Sequence, residues 1–456
     1  MSALPDPAAA MGIRVAAGVT VAVPSRVDLM TPYVLLEQEN WFEDEIAFLC
    51  RRLGAGSQVV DIGANYGLYA LSLAEIAGAA GRVWAIEPAS GTAAFLRQSV
   101  AINALDHMTV IQNALSDREG TARLSTEGNS ELNSLSGGGA GEDVALSTLD
   151  HLAASHDWAA IDFLKIDAEG EEERILDGGA AFLRSADPLV MFEIKHGERI
   201  NLHLVDKFAA LGYRSYQLVP GPGVLVPFDP AIAPDPFRLN LFACKPARAA
   251  CLERQGWLAR EPAPLPSGGD AIAHFRAAHD EGAGAAARHA HLRAALAAAS
   301  AMAPGDDPYA LATCARIARE LGERRRAIDF IEQGLGRCGH RDPGGPRGPA
   351  LAAIAGFDAL EPKGRPSEWL RASLLDALVT HSAYSTYFAR GPLQAATLER
   401  LESLRTSGFQ RPPMERRRQL MRILARHQAG PEPAACLAAY GPDNLNPELW
   451  GGSAPG

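Results

Sequence analysis

The 456-residue sequence predicts a doubly wound α/β domain with an antiparallel edge hairpin, followed by an α-helical region. Three observations carry this. Between Gln58 and Pro246, apolar runs of strand length alternate with stretches of helical spacing. The last two of those runs have no helix between them, only the proline- and glycine-rich "PGPGVLVPFDPAIAPDP", so they should pair as a hairpin. After Pro246, strand signals give way to alanine- and arginine-rich helices.

In chain order, "WFEDEIAFLCRRL" predicts a short helix leading into the strand "QVVDIG". Val59, Val60 and Ile62 end that strand, and Tyr69, Ala70, Leu71, Leu73 and Ala74 begin a helical spacing, leaving Gly63 to Gly67 as the turn between them. The strands "RVWAIEP" and "MTVIQNALS" follow, then a hairpin-like insertion whose glycine and serine content predicts a mobile loop, with Asn133 and Ser134 close to a bound acceptor. "IDFLKIDAEG", "PLVMFEI", "YRSYQLV" and "RLNLFACKP" complete the strands. Glu171, Glu172 and Glu173 suit the first turn of a helix and are expected to be solvated.

"EPAPLPSGGD" reads as a linker. Beyond it, "PYALATCARIARELGERRRAIDFIEQGL" predicts two helices joined at Leu321 and Gly322. Its small residues Ala315, Ala318 and Ala327, with bulky Leu311 and Ile331, resemble a tetratricopeptide-type hairpin. The expected division is a leader over 1–40, the α/β domain over 41–246, a linker over 247–270 and a helical domain over 271–450.

The turn "DIGANYG" narrows the ligand. A dinucleotide loop places a second glycine where this chain has Asn65, so that backbone can approach a pyrophosphate. Asp61 just before the turn would repel a pyrophosphate but attract an ammonium or sulfonium group, which also excludes a nicotinamide oxidoreductase. Glu87, 24 residues after Gly63, ends the next strand where a doubly wound fold holds a ribose. Asp167 and Glu169 end the central strand, and carboxyl ends of central strands face the ligand crevice.

Residues 1–246 carry 17 basic and 32 acidic side chains and the remainder 26 and 22, an acidic front half that argues against nucleic-acid binding. The six cysteines form no C-x-x-C pair and are scattered, which fits neither a zinc site nor a disulfide framework. No run approaches the ~18 to 20 apolar residues of a membrane span, and the N-terminus lacks the pattern of a signal peptide. A cytoplasmic location is expected.

"VVDIGANYGLYALSLA", "AIEP", "NALSDREGTARL", "STLD", "DFLKIDAEGEEERILDGG" and "VMFEI" stand in an order and spacing that resembles the FkbM family of S-adenosylmethionine-dependent methyltransferases, over roughly residues 40 to 245. The D-x-E-G at Asp167 to Gly170 is the most distinctive of these elements. The resemblance implies a class I, Rossmann-like methyltransferase domain, with Asp61, Gly63, Asn65 and Gly67 around the methionine part of S-adenosylmethionine and Glu87 on its ribose. Methyl transfer to a hydroxyl of a sugar, glycan or other natural product needs alignment and a base for the acceptor's proton. Asp167 is the expected base or positioning group, with Glu169, His196 and Lys165 as alternatives. No third ligand accompanies Asp167 and Glu169, so no metal is assigned. The helical region is expected to bind a protein partner, and the competing reading makes the chain an interaction component with a regulatory or inactive methyltransferase domain.

Overall fold

The computed structural model describes residues 10–125, 141–196, 199–302, 307–338 and 350–428. Contacts divide the chain into two units, one made of residues 1–217, 239–251 and 426–456, the other of residues 218–238 and 252–425. The expected boundaries at 246 and 270 do not coincide with this division.

The first unit begins with a hairpin of β1 (Ala10–Arg14) and β2 (Thr20–Pro24), followed by α1 (Met30–Gln38). The described part of the stretch expected as a leader, from Ala10 on, thus carries two strands and a helix. Its Ile13, Val21 and Val23 are buried, and the β2 backbone is tied to the helix over Ser90–Ile102 and its C-cap by N–H bonds from Thr20 to Asn103 Oδ1 and from Ala22 to Ser99 Oγ, both 2.8 Å. Next come α2 (Asp44–Arg52), β3 (Gln58–Ile62), α3 (Leu68–Ala77), β4 (Arg82–Ile86), α4 (Ser90–Ile102) and β5 (Met108–Ile111).

The insertion contains β6 (Ala114–Leu115), β7 (Gly120–Ser125) and β8 (Gly141–Ser147), a small sheet in which β7 and β8 pair antiparallel. Asn133 and Ser134 lie outside the described residues. The chain continues through α5 (Leu149–Ser155), β9 (Phe163–Ile166), α6 (Glu172–Gly178), α7 (Ala180–Ser185) and β10 (Leu189–Glu193). It then forms the short β11 (Lys195–His196) and β12 (Arg199–Ile200), α8 (His203–Ala210) and β13 (Arg214–Val219). After β14 (Val224–Pro227), β15 (Asn240–Cys244) returns to the first unit and leads into α9 (Pro246–Arg254), which occupies the start of the expected linker.

Within this unit the sheet order is β13-β15-β10-β9-β3-β4-β5. Strands β5, β4, β3, β9 and β10 are parallel, as expected of near-continuous apolar runs covered by helices on both faces. β15 is antiparallel to both β10 and β13, which gives the antiparallel pair expected from the missing helix. The direction of chain order reverses between β3 and β9, and ligand crevices of open α/β sheets open at such a point.

The second unit holds β14 and the helices α10 (Ala271–Ala278), α11 (Ala285–Met302), α12 (Pro308–Leu321), α13 (Arg324–Cys338), α14 (Pro366–His381), α15 (Pro392–Ser407) and α16 (Pro412–Gln428). Gly322 ends α12 in the left-handed conformation at φ 82°, and Leu311, Ala315, Ala318, Ala327 and Ile331 are all buried. The core is not helical alone. Val219, at the end of β13, and Val224 and Val226, in the stretch expected as a loop, pack with Leu292, Leu296, Ile317 and Leu321 in one cluster. Asp376 in α14 is fully buried and accepts two bonds from Arg411, at 2.7 and 2.6 Å.

Candidate active site

Register assembles the site. Asp61 of β3 lies beside Lys165 of β9, and Ile62 is level with both Ile86 of β4 and Ile166 of β9. Ile166 is in turn level with Phe192 of β10. One residue further, at the carboxyl ends, the same register lines up Glu87, Gly63, Asp167 and Glu193, and Glu193 is paired with Asn240 of β15. Because side chains alternate along a strand, Asp61 and Lys165 share the face of this row, one pleat below it.

The glycine turn is shaped by close approach. Gly63 has φ 76°, and a Cβ there would stand 1.6 Å from the carbonyl oxygen of Asp167. Gly67 has φ 90°, and its Cβ would reach Leu96 Cδ1 at 2.3 Å. Asn65 adopts φ 51°, a conformation that asparagine tolerates better than most residues. Its N–H donates to Glu87 Oε2 at 3.0 Å, and the N–H of Ala89 donates to Oε1 at 2.8 Å. Glu87 therefore joins the loops after β3 and β4. Burial pushes its pKa up to about 7 against the opposing effect of these two bonds.

Asp61 is committed to the protein itself. Its Oδ2 accepts the N–H of Ala70 in α3 at 3.1 Å, and its Oδ1 lies 3.6 Å from Lys165 Nζ. At 1% exposure it fixes the turn from beneath. Burial raises its pKa, an effect opposed by the Lys165 ammonium. Lys165, also buried, donates to Asp167 Oδ2 at 2.8 Å and stands 5.2 Å from the Tyr69 ring centroid. Burial alone would lower the lysine pKa, but the carboxylates of Asp167 and Asp61 hold it above the ordinary value.

Asp167 has a side chain 28% exposed, more open than Asp61 or Lys165. Glu169 follows it with a left-handed backbone, φ 50°, and its charge reaches Glu193. His196 is in β11 by its backbone, and its side chain lies outside the described residues. Glu172 departs from the expected solvated role. It is buried, and its Oε1 accepts N–H groups from Ala168 at 2.9 Å and Gly170 at 3.2 Å, pinning the D-x-E-G turn.

Three site residues escape a reading by motif. Glu193 ends β10, level by register with Asp167 beyond the end of β9; burial first, then the charges of Asp167 and Glu169, push its pKa far above the carboxylate range. Glu43 accepts from Trp41 Nε1 at 3.1 Å, from Asn240 Nδ2 at 3.1 Å and from the Tyr69 hydroxyl. Burial and the Asp167 charge raise its pKa too. Asn240 brings β15 into the site. For Glu193 the signal was present: an acid ending the strand after "LKID".

Residues 61–215 match the family model for the methyltransferase FkbM domain, and this range spans the glycine turn, Glu87, the D-x-E-G turn and Glu193. The first unit carries an FkbM methyltransferase domain. Among solved structures, the FkbM domain is similar to methyltransferase FkbM from Methylobacillus flagellatus KT, at 19% identity and TM-score 0.29, over 42% of this chain and 44% of that one. The chain thus spans less than half the length of that relative. It is also similar to an rRNA methylase from Streptococcus thermophilus, at 11% identity and TM-score 0.27 over 44% and 93% of the two chains. A SAM-dependent methyltransferase from Aquifex aeolicus gives 14% identity and TM-score 0.26 over 48% and 92%. No curated protein matches the chain.

Proposed function

We propose that the FkbM domain uses S-adenosylmethionine to methylate a hydroxyl of a sugar, glycan or other natural product, in the cytoplasm. The observation that carries this is the row of Glu87, Gly63, Asp167 and Glu193 at the carboxyl ends of four parallel strands. The residues suit such a ligand. Asn65 Oδ1 is a buried acceptor with no hydrogen-bond partner among the described residues, and the Glu87 carboxylate offers further lone pairs to ribose hydroxyls. Asp61 contributes by anchoring the turn to Ala70.

Bound there, the cofactor supplies a methyl group already activated on a sulfonium. The chain's own part is orientation and proton handling. Asp167, the most open carboxylate of the Asp61–Lys165–Asp167 set, faces the acceptor and takes the proton that its hydroxyl gives up as the new bond forms. Lys165 keeps Asp167 aimed through its bond to Oδ2, and Glu172 keeps the turn that carries it in place. Glu169 and His196 are the alternative proton acceptors. The helices of the second unit serve a protein partner or the delivery of an acceptor.

The test is transfer of labelled methyl from S-adenosylmethionine to extract components, followed by identification of the product as an ether. Asp167→Asn should cut turnover about 10²- to 10⁴-fold while cofactor affinity by calorimetry changes little. Near-normal turnover in that variant would move the proton-accepting role to Glu169 or His196. A methylated amine as product would overturn the choice of a hydroxyl acceptor.

A further inference from the structure

Two residues outside the matched range 61–215 reach the site: Glu43, just ahead of α2, and Asn240 of β15. Glu43 Oε2 accepts both the Asn240 amide, at 3.1 Å, and the Tyr69 hydroxyl, while its Oε1 accepts the Trp41 indole N–H at 3.1 Å. One carboxyl group thus takes three neutral donors, a load its two oxygens have the lone pairs to carry. Methyl transfer as read above gives Glu43 no part.

Tyr69 leads from Glu43 into the reacting set. It sits in the first turn of α3, buried, with its hydroxyl on Glu43 and its ring centroid 5.2 Å from Lys165 Nζ, within the ~6 Å over which an aromatic face attracts a cation. Lys165 donates to Asp167 Oδ2 at 2.8 Å and has Asp61 Oδ1 at 3.6 Å. An ammonium on a flexible four-carbon stem has no fixed bonding geometry, so two carboxylates alone would let it swing between them. The Tyr69 ring restricts that swing.

We propose that Glu43 is a positioning residue for Asp167: it holds the Tyr69 ring against the Lys165 ammonium, and Lys165 in turn aims the Asp167 carboxylate. The inference rests on the proposed role of Asp167. Every link is a contact in the structure, from Glu43 to the Tyr69 hydroxyl, from the Tyr69 ring to Lys165 and from Lys165 to Asp167. Trp41 and Asn240 make the anchor firm, because a carboxyl group held at both oxygens resists turning away from the tyrosine. The segments flanking the matched range therefore serve its geometry. No proton moves along this chain of contacts, and Glu43 touches none of the reacting atoms.

Nuclear magnetic resonance of the full chain with lysine-selective isotope labelling, without cofactor or acceptor, tests the links up to Lys165. The chain has five lysines, and Lys165→Arg identifies the ε-methylene signal of Lys165, which the ring current of Tyr69 should displace. Glu43→Ala should move this signal, and Glu43→Gln, whose carbonyl oxygen still accepts the tyrosine hydroxyl, should leave it in place. Tyr69→Phe removes only the hydroxyl and should move it as Glu43→Ala does, which covers a Glu43→Ala chain that fails to fold. A Lys165 signal unmoved in Tyr69→Phe overturns the proposal whatever the protein's activity, so failure of the methyl-transfer reading cannot be mistaken for failure of this one. Transfer of labelled methyl from S-adenosylmethionine to extract components supplies the second arm. Glu43→Ala and Tyr69→Phe should each lose about 10- to 100-fold in turnover, with cofactor affinity by calorimetry within about twofold of wild type. The double variant should lose no more than the worse single one, because both cut the same chain of contacts, and Glu43→Gln should recover most of the Glu43→Ala loss. Additive losses, or a Glu43→Gln as impaired as Glu43→Ala, would show Glu43 acting by another route and overturn the proposal.

Discussion

At Glu87 two backbone N–H groups favour the carboxylate while burial disfavours it, and burial prevails, leaving the group to titrate at about 7. This has opposite consequences for stability and for ligand affinity. The folded pKa lies above the ordinary carboxylate value of 4.5, so the stability that Glu87 contributes is fully present below that ordinary value and is lost as pH rises through about 7. Ribose hydroxyls, which donate, need the ionised form. Affinity for S-adenosylmethionine should therefore fall by up to about tenfold per pH unit below the folded pKa, and the slope should flatten in Glu87→Gln. Calorimetric titrations across pH 5 to 8 check this. An equal slope in both proteins would remove Glu87 from the ribose.

Among elements, α14 depends on one buried charge. Asp376 is 0% exposed and both its oxygens accept from Arg411, just ahead of α16, while Arg324 closes the end of α14 by donating to the carbonyl of His381 at 2.7 Å. Removing one partner of a buried pair strands the other, at a cost of roughly 3 to 5 kcal/mol. Asp376→Ala should lower the unfolding free energy by about that amount, and denaturant unfolding measures it; a loss below about 1 kcal/mol would show that Arg411 finds water or another acceptor. Elements of this kind were legible in the sequence where their pattern was local. The strand runs around Asp61, Glu87 and Asp167, and the Gly322 stop between α12 and α13, follow from periodicity and turn chemistry. Glu43 and Asn240 were not legible, because 197 positions separate two groups joined by one hydrogen bond. The hairpin of β1 and β2 escaped because its partner is α4, far along the chain. Glu172 was misjudged because first-turn acids are usually solvated, and here the preceding turn folds back onto it.

For the whole molecule, the second unit's core includes Val219, Val224 and Val226 from well before the first of its helices. Ending the chain after Pro266 would uncover these three, each worth about 1.5 kcal/mol or more when buried. Such a chain should aggregate on size-exclusion chromatography where the full-length protein does not, and Val224→Thr with Val226→Thr should partly restore its solubility. A soluble shortened chain with unchanged thermal unfolding would place that core elsewhere. The order of strands bears also on how the protein is made. β15 lies between β10 and β13 yet leaves the ribosome after both. At synthesis rates of roughly 5 to 20 residues per second, the 20 residues between Val219 and Asn240 keep the nascent sheet open for about one to four seconds. During that interval β10, with Glu193 at its tip, presents an unpaired apolar edge, and it is then that a newborn chain most needs a chaperone.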